Sequence, residues 1–171
     1  ESWLSHTLIR ADALLVVVDL NDASLIQIEA ISAELARMRI GIIDAKNGDE
    51  QSGVLSYKKA LIIGNKIDLV PTGPNYEALQ NKYQDQLPVM AISAQKGTGL
   101  EEMKHKIYQM LDIIRVYTKT PRQKADFDDP IILDRGSTLE DAAESVHKDF
   151  RAKLKYARVW GSGKHDGVMV K

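Results

Sequence analysis

Ala60-Leu61-Ile62-Ile63-Gly64-Asn65-Lys66-Ile67-Asp68 is the stretch that decides the fold. Its apolar half lacks alternation, which is how a strand buried on both faces of a parallel sheet reads. The polar half sets an amide and a carboxylate at the mouth of that strand, where a purine can be read. Guanine shows two adjacent donors, the ring N1–H and the exocyclic 2-amino group, and one ionised carboxylate accepts both in parallel. Adenine offers neither on that edge. A site built around such an acceptor rejects adenine by on the order of 10⁴-fold, because the carboxylate would be left desolvated and unpaired. Asp68 is therefore the candidate base reader, flanked by Asn65 and Lys66.

Working outward, a second apolar run, Leu87-Pro88-Val89-Met90-Ala91-Ile92, ends in Ser93-Ala94-Gln95-Lys96. Thr98 and Glu101 then have the spacing of a capping box, and Leu100, Met103, Ile107, Met110, Leu111 and Ile114 continue one apolar helical face. Upstream, residues 11–19 read as another fully buried strand. Leu25, Ile28, Ile31, Leu35 and Met38 recur at helical spacing behind Asp22, a candidate N-cap. A short strand is expected within 39–45, a polar loop over 46–53, a helix over 75–84 and a strand over 88–92. Strands and helices thus alternate three times. That pattern predicts an α/β fold with a parallel sheet, flanking helices and right-handed crossovers, with ligands bound beyond the carboxyl ends of the strands. Both candidate loops lie at such ends.

Beyond residue 113 the pattern changes. Ile114 to Lys119 and Ile131 to Leu133 read as strands, Ser137 and Glu140 as a capping box, and Leu139, Ala142, Ala143, Val146 and Phe150 as the stripe of one helix. Tyr156 to Trp160 reads as a strand. Strand, strand, helix, strand in so short a span predicts a small α+β domain of β-grasp type. The expected division is 1–112 and 113–171, without a long linker.

With 44% hydrophobic residues and a formal net charge of −1, the chain can bury a core and carries no overall field that would announce DNA or an anionic membrane as a partner. No cysteine is present, which removes disulfides, thiolate catalysis and thiolate zinc sites and fits a reducing, cytoplasmic setting. No run is long enough to span a bilayer. The first residue is Glu1, and the expectation is a piece of a longer protein.

The Asn65-Lys66-Ile67-Asp68 and Ser93-Ala94-Gln95 loops resemble the two guanine-contacting loops of GTP-binding proteins, and residues 11–111 resemble the second half of a Ras-like GTPase domain. The strings Arg-Val-Tyr-Thr-Lys at 115–119, Asp-Asp-Pro-Ile-Ile-Leu at 128–133 and Lys-Tyr-Ala-Arg-Val-Trp-Gly-Ser at 155–162, followed by Lys164-His165, resemble the TGS domain of the developmentally regulated GTP-binding (DRG) family within the wider Obg group. The resemblance implies GTP as ligand and, in the intact protein, Mg2+ and hydrolysis as a conformational switch. It implies that Asp68 selects guanine, that the Lys66 stem lies across the base, and that Asn65 ties the loop to a phosphate-binding loop. Ala94 N–H would meet the base O6, and the Ser93 hydroxyl would brace Asp68. It further implies coupling through the TGS domain to rRNA, tRNA, the ribosome or a protein.

The sequence departs from that family in three ways. No Gly-x-x-x-x-Gly-Lys-Ser/Thr occurs, no Asp-x-x-Gly precedes Trp3, and only a short loop fills the slot between residues 39 and 59, where the family carries a larger insertion. The expectation is a carboxyl-terminal piece lacking the phosphate loop and switch segments, inactive by itself. Its TGS domain is expected to be cut short, and its source to be bacterial or archaeal.

Other chemistry is poorly supported. Asp126, Asp128 and Asp129 lack the glycine and terminal glutamate of a calcium loop, and His6, His105, His147 and His165 share no ligand spacing. Between 148 and 171, Lys148, Arg151, Lys153, Lys155, Arg158, Lys164 and Lys171 face only Asp149 and Asp166. Interleaved with Tyr156 and Trp160, these cations form a candidate RNA-phosphate surface; the alternative is a solvated helix face with Trp160 in the core. For the whole chain, the alternative to a nucleotide switch is a non-catalytic RNA- or protein-interaction module on a nucleotide-binding scaffold.

Overall fold

The strand that opens the sequence reading is the organiser of the first half of the molecule. In the computed structural model, which describes residues 2–44, 51–52, 55–69, 73–120, 122–161 and 166–170, the chain divides into two compact units, Glu1–Leu111 and Asp112–Lys171. Unit 1 contains α1 (Ser2–Arg10), β1 (Ala13–Asp19), α2 (Ser24–Arg37), β2 (Ile40–Ile43), β3 (Gln51–Ser52), β4 (Leu55–Asn65), α3 (Pro74–Tyr83), β5 (Val89–Ala91) and α4 (Leu100–Leu111). β4 is central and longer than the expected 59–64. It pairs in parallel with β1 along its carboxyl-terminal half, with Ala13 opposite Lys59 and Asp19 opposite Asn65. Its other edge is shared by β2, which pairs at Ser56–Lys59, and β5, which pairs at Ile62–Gly64.

Period-two geometry sends successive β4 side chains to opposite layers. Ala60 and Ile62 pack with Leu14, Val16, Val18 and Leu20 beneath Ile28 and Leu35 of α2 and Leu79 of α3. Leu61 and Ile63 face the other way, onto Met90, Ile92 and Met110, with Leu100, Met103 and Ile107 of α4 alongside. Each such fully buried aliphatic side chain contributes about 1.5–3 kcal/mol. Gly64 makes room at the strand end for Leu20: a Cβ there would sit 2.6 Å from Leu20 Cδ2, so the buried Leu20 side chain would have to shift.

β1 departs from expectation. Its unbroken apolar run predicts burial on both faces, yet Leu15 and Val17 are 43% and 50% exposed while Leu14, Val16 and Val18 are buried. They lie in register with Leu61 and Ile63, on the face that α4 covers only further along, and β1 pairs with no strand but β4 among the described residues. α2 also begins differently. Its N-cap position is Ala23, and the Asp22 carboxylate accepts from Ala23 N–H at 2.7 Å instead of capping the helix. Asn75 holds the turn from outside, donating to Leu20 O and Asp22 O at 2.9 Å each. At α4 the expected Thr98–Glu101 capping box is replaced: Thr98 forms a bridge with Ser93, and Glu101 pairs with Lys104.

Unit 2 contains β6 (Ile113–Val116), β7 (Ile131–Asp134), α5 (Leu139–Val146), α6 (Lys148–Lys153), β8 (Ala157–Val159) and β9 (Val168–Val170). Its strands form two antiparallel ladders, β6–β7 and β8–β9. The expected single helix is split at His147, whose extended φ of −163° breaks the α-helical run. The capping box lies one residue later than expected, with Thr138 as N-cap and Asp141 as its reciprocal partner. No described side chain of unit 2 is fully buried.

Candidate nucleotide-binding site

Three parallel strands end together at one edge of unit 1. Asn65 is the last residue of β4, and the chain turns immediately at Lys66, which adopts a left-handed φ of 70°. A non-glycine residue there is uncommon, and the Asn65 side chain stabilises it by accepting from Lys66 N–H at 2.8 Å. The same Asn65 Oδ1 accepts from Ala94 N–H at 3.0 Å, joining two loops 29 positions apart in sequence. Backbone hydrogen bonds complete the junction: Ile92 N–H to Gly64 O at 2.8 Å and Ile67 N–H to Ile92 O at 3.1 Å. Gly99, with φ +76°, allows the loop to close tightly, since a Cβ there would stand 2.9 Å from Ala91 O.

The predicted residues are thus brought together, but with different pairings. Ser93 is fully buried, and its hydroxyl accepts from Lys96 N–H at 3.0 Å instead of bracing Asp68. The four-residue turn from Ser93 to Lys96 satisfies that oxygen locally. Ala94 N–H is held by Asn65, and Asn65 ties the base loop to this second loop. Gln95 is exposed at the turn tip. Asp68 is half-buried and hydrogen-bonds to no described residue.

Sequence reading missed the residues that anchor Lys66. Its ammonium pairs with Asp19 Oδ2 at 2.5 Å, and Asp19 Oδ1 accepts from Asn21 N–H at 2.9 Å. Gln27 of α2 grips the backbone of Asp19 on both sides, accepting from its N–H at 2.9 Å and donating to its carbonyl at 3.2 Å. The hydrogen bond from Lys66 holds the Asp19 carboxyl below the usual carboxylate range, and the same bond pushes the Lys66 ammonium up. Both groups are solvated, so the pair orients more than it stabilises. The sequence shows only that Asp19 closes the apolar run 11–19 as Asn65 closes 60–64; their register appears in the structure.

The basic set of unit 2 is broken up. Arg151 is clamped by carboxylates, at 2.5 Å from Glu144, 3.4 Å from Asp141 and 3.7 Å from Glu140. Lys148, Lys153, Lys155 and Arg158 are exposed and make no ion pair among the described residues, and Lys164 lies outside them. Trp160 is half-exposed, not in a core, with the Lys119 ammonium 4.8 Å from its ring centroid. Among the described residues, no group of three His, Asp or Glu side chains is arranged to hold a metal ion. No helix among them is long and apolar enough to cross a membrane.

A half-covered parallel α/β sheet with two converging polar loops, followed by a small α+β unit, defines the class of protein. Comparison with known proteins then places it further. Residues 114–170 match the TGS domain family. The chain is 38% identical over 123 residues to an uncharacterised GTP-binding protein of Methanocaldococcus jannaschii, covering 71% of this chain and 32% of that protein. It is 38% identical over 116 residues to developmentally regulated G-protein 3 of Arabidopsis thaliana, covering 67% of this chain and 30% of that one. Among solved structures, Aquifex aeolicus Era bound to GDP and AlF4− is similar over 83% of this chain and 39% of that one, at 20% identity and a TM-score of 0.46, a loose likeness. The chain is a relative of the developmentally regulated GTP-binding proteins and carries a TGS domain, and it spans about a third of the length of the curated relatives it matches.

Proposed function

We propose that unit 1 reads guanine for a GTP-binding protein and that the TGS domain couples this site to RNA or the ribosome. The observation that carries the base-reading half is the Asn65 Oδ1 to Ala94 N–H hydrogen bond of 3.0 Å, which fuses the Asn-Lys-x-Asp loop and the Ser-Ala loop into one rim at the strand ends. In this reading Asp68 accepts guanine N1–H and the 2-amino group, a pairing adenine cannot offer. The Lys66 stem lies along the base face, tethered at its backbone by the left-handed turn and at its ammonium by Asp19. With Ala94 N–H engaged by Asn65, the neighbouring Gln95 N–H is the donor left for the base O6.

Hydrolysis is proposed for the whole protein, not for this chain. Phosphoryl transfer depends on a phosphate cradle, Mg2+ and a positioned water, and no glycine-rich phosphate-loop motif occurs among these 171 residues. The test of the base reader is Asp68→Asn in the protein that contains this chain. Xanthine replaces the 2-amino donor with a carbonyl that an amide can meet, so the variant should lose GTP and gain xanthosine nucleotides in fluorescence titration. Unchanged GTP affinity would place the pocket elsewhere.

A further inference from the structure

Unit 2 holds a shallow hollow of about 400 Å³ lined by Ala143, Phe150, Lys153, Leu154, Lys155 and Tyr156. Its lining is two aromatic residues exposed at 51% and 57%, two aliphatic residues and two cations, with no carboxylate. Arg151, between these residues in sequence, is turned away onto Glu140, Asp141 and Glu144, and so balances the acids of α5. Lys153 and Lys155 have no ion-pair partner among the described residues. The His147 ring packs against Phe150 in a tilted contact, with ring centroids 5.6 Å apart, while its Nδ1 accepts from Asp149 N–H. The Asp149 carboxylate, 3.9 Å from that ring, is the nearest acid on the same segment.

We propose that this hollow seats one unpaired nucleotide of a single-stranded RNA, its base against Tyr156 and Phe150 and its phosphate between Lys153 and Lys155. The size suits one nucleotide, since ligand pockets begin near 300 Å³. The chemistry is that of single-strand recognition: aromatic faces take any base, and cations take the backbone. A duplex is disfavoured because its base faces are already stacked on one another and are not free to stack on a side-chain ring. The inference rests on the RNA reading of the TGS domain above and names the place and form of that contact.

Fluorescence anisotropy of the 171-residue chain with a labelled single strand of about ten nucleotides, and with a duplex of equal length, tests it. The single strand should bind more tightly. Tyr156→Ala and Phe150→Ala should each weaken it about tenfold, while Tyr156→Phe retains it. Lys153→Ala and Lys155→Ala should each lower the slope of log affinity against log salt by about 0.7. Phe127→Ala, which removes an aromatic ring 70% exposed elsewhere in the unit, should change nothing. The four substituted side chains are exposed, so circular dichroism should show intact folding. Undiminished binding by the four alanine variants overturns the hollow and leaves the RNA reading standing. Absence of binding to either RNA form at low salt overturns both, and tighter duplex binding overturns the single-strand assignment.

Discussion

Unit 1 buries Leu20, Ile28, Ile62, Ile63 and Leu79 to 1% exposure or less, whereas unit 2 leaves Phe127, Phe150, Tyr156 and Trp160 at 50% or more. The contrast follows from architecture. A parallel sheet needs cover on its faces, and once covered it fixes strand ends firmly enough to hold backbone amides and a carboxylate at set positions. Two short antiparallel ladders with two short helices enclose no such layer, so their aromatic rings stay available to a partner. One unit is suited to discriminating a single base by geometry, the other to gripping a flexible polymer by faces and charge.

The largest expected effect would expose that difference directly. Ile62→Ala, at a fully buried site, should cost about 2–5 kcal/mol, while Ile132→Ala, at 50% exposure in β7, should cost under about 1 kcal/mol. Denaturant unfolding followed by amide exchange in each unit measures both, and equal losses would break the comparison. Asn65→Ala should cost about 2 kcal/mol through two lost hydrogen bonds and strip exchange protection from the Ala94 amide while leaving unit 2 unaltered. Retained protection at Ala94 would show that the two loops are held by something else. In unit 2, Thr138→Ala should remove the capping box and about 1 kcal/mol, read as faster exchange at the first turn of α5.

The smallest effect is on acid stability. Asp19 is held low by its hydrogen bond from Lys66, and Asp141 by bonds from the Thr138 backbone and hydroxyl. A carboxylate depressed in the folded state stabilises fully above its unfolded value, about 3.9, and that contribution is lost as pH falls through the lowered native value. Both units should therefore weaken slightly below about pH 4. Molar salt should abolish much of the Asp19 contribution and little of the Asp141 one, because only the first depends chiefly on a solvated ion pair. Carboxylate titration by NMR at two salt concentrations checks this, and equal salt sensitivity would contradict it. Lys66 has the opposite sign: raised in the folded state, it stabilises below the unfolded lysine value and ceases to do so as pH climbs through the raised one.

What the residues disclosed tracks how local the determining forces are. The apolar core of β4 is legible because Leu61, Ile62 and Ile63 need no partner to declare burial. Its first four residues, including Ser56, Tyr57 and Lys58, are not, since they are strand only through pairing with β2 and β3. The capping box in unit 2 shifted by one residue because Ser137-Thr138 offers two adjacent hydroxyls and Asp141 competes with Glu140 for the reciprocal role. The anchoring of Lys66 was hidden because its partner Asp19 is 47 positions away. The basic stretch of unit 2 misled for a related reason: counting charge between 148 and 171 omits Glu140, Asp141 and Glu144, which lie before it and consume Arg151.

The outer margin of β1, which pairs with no strand but β4 among the described residues, has a practical consequence for this chain. Along residues 13–18, the backbone groups of alternate residues that point away from β4, beside exposed Leu15 and Val17, are a template onto which another extended segment can add. In concentrated solution the first failure should be growth of soluble oligomers through that margin, ahead of any thermal transition. A lysine in place of Val17 should suppress it without disturbing the opposite, well-packed layer.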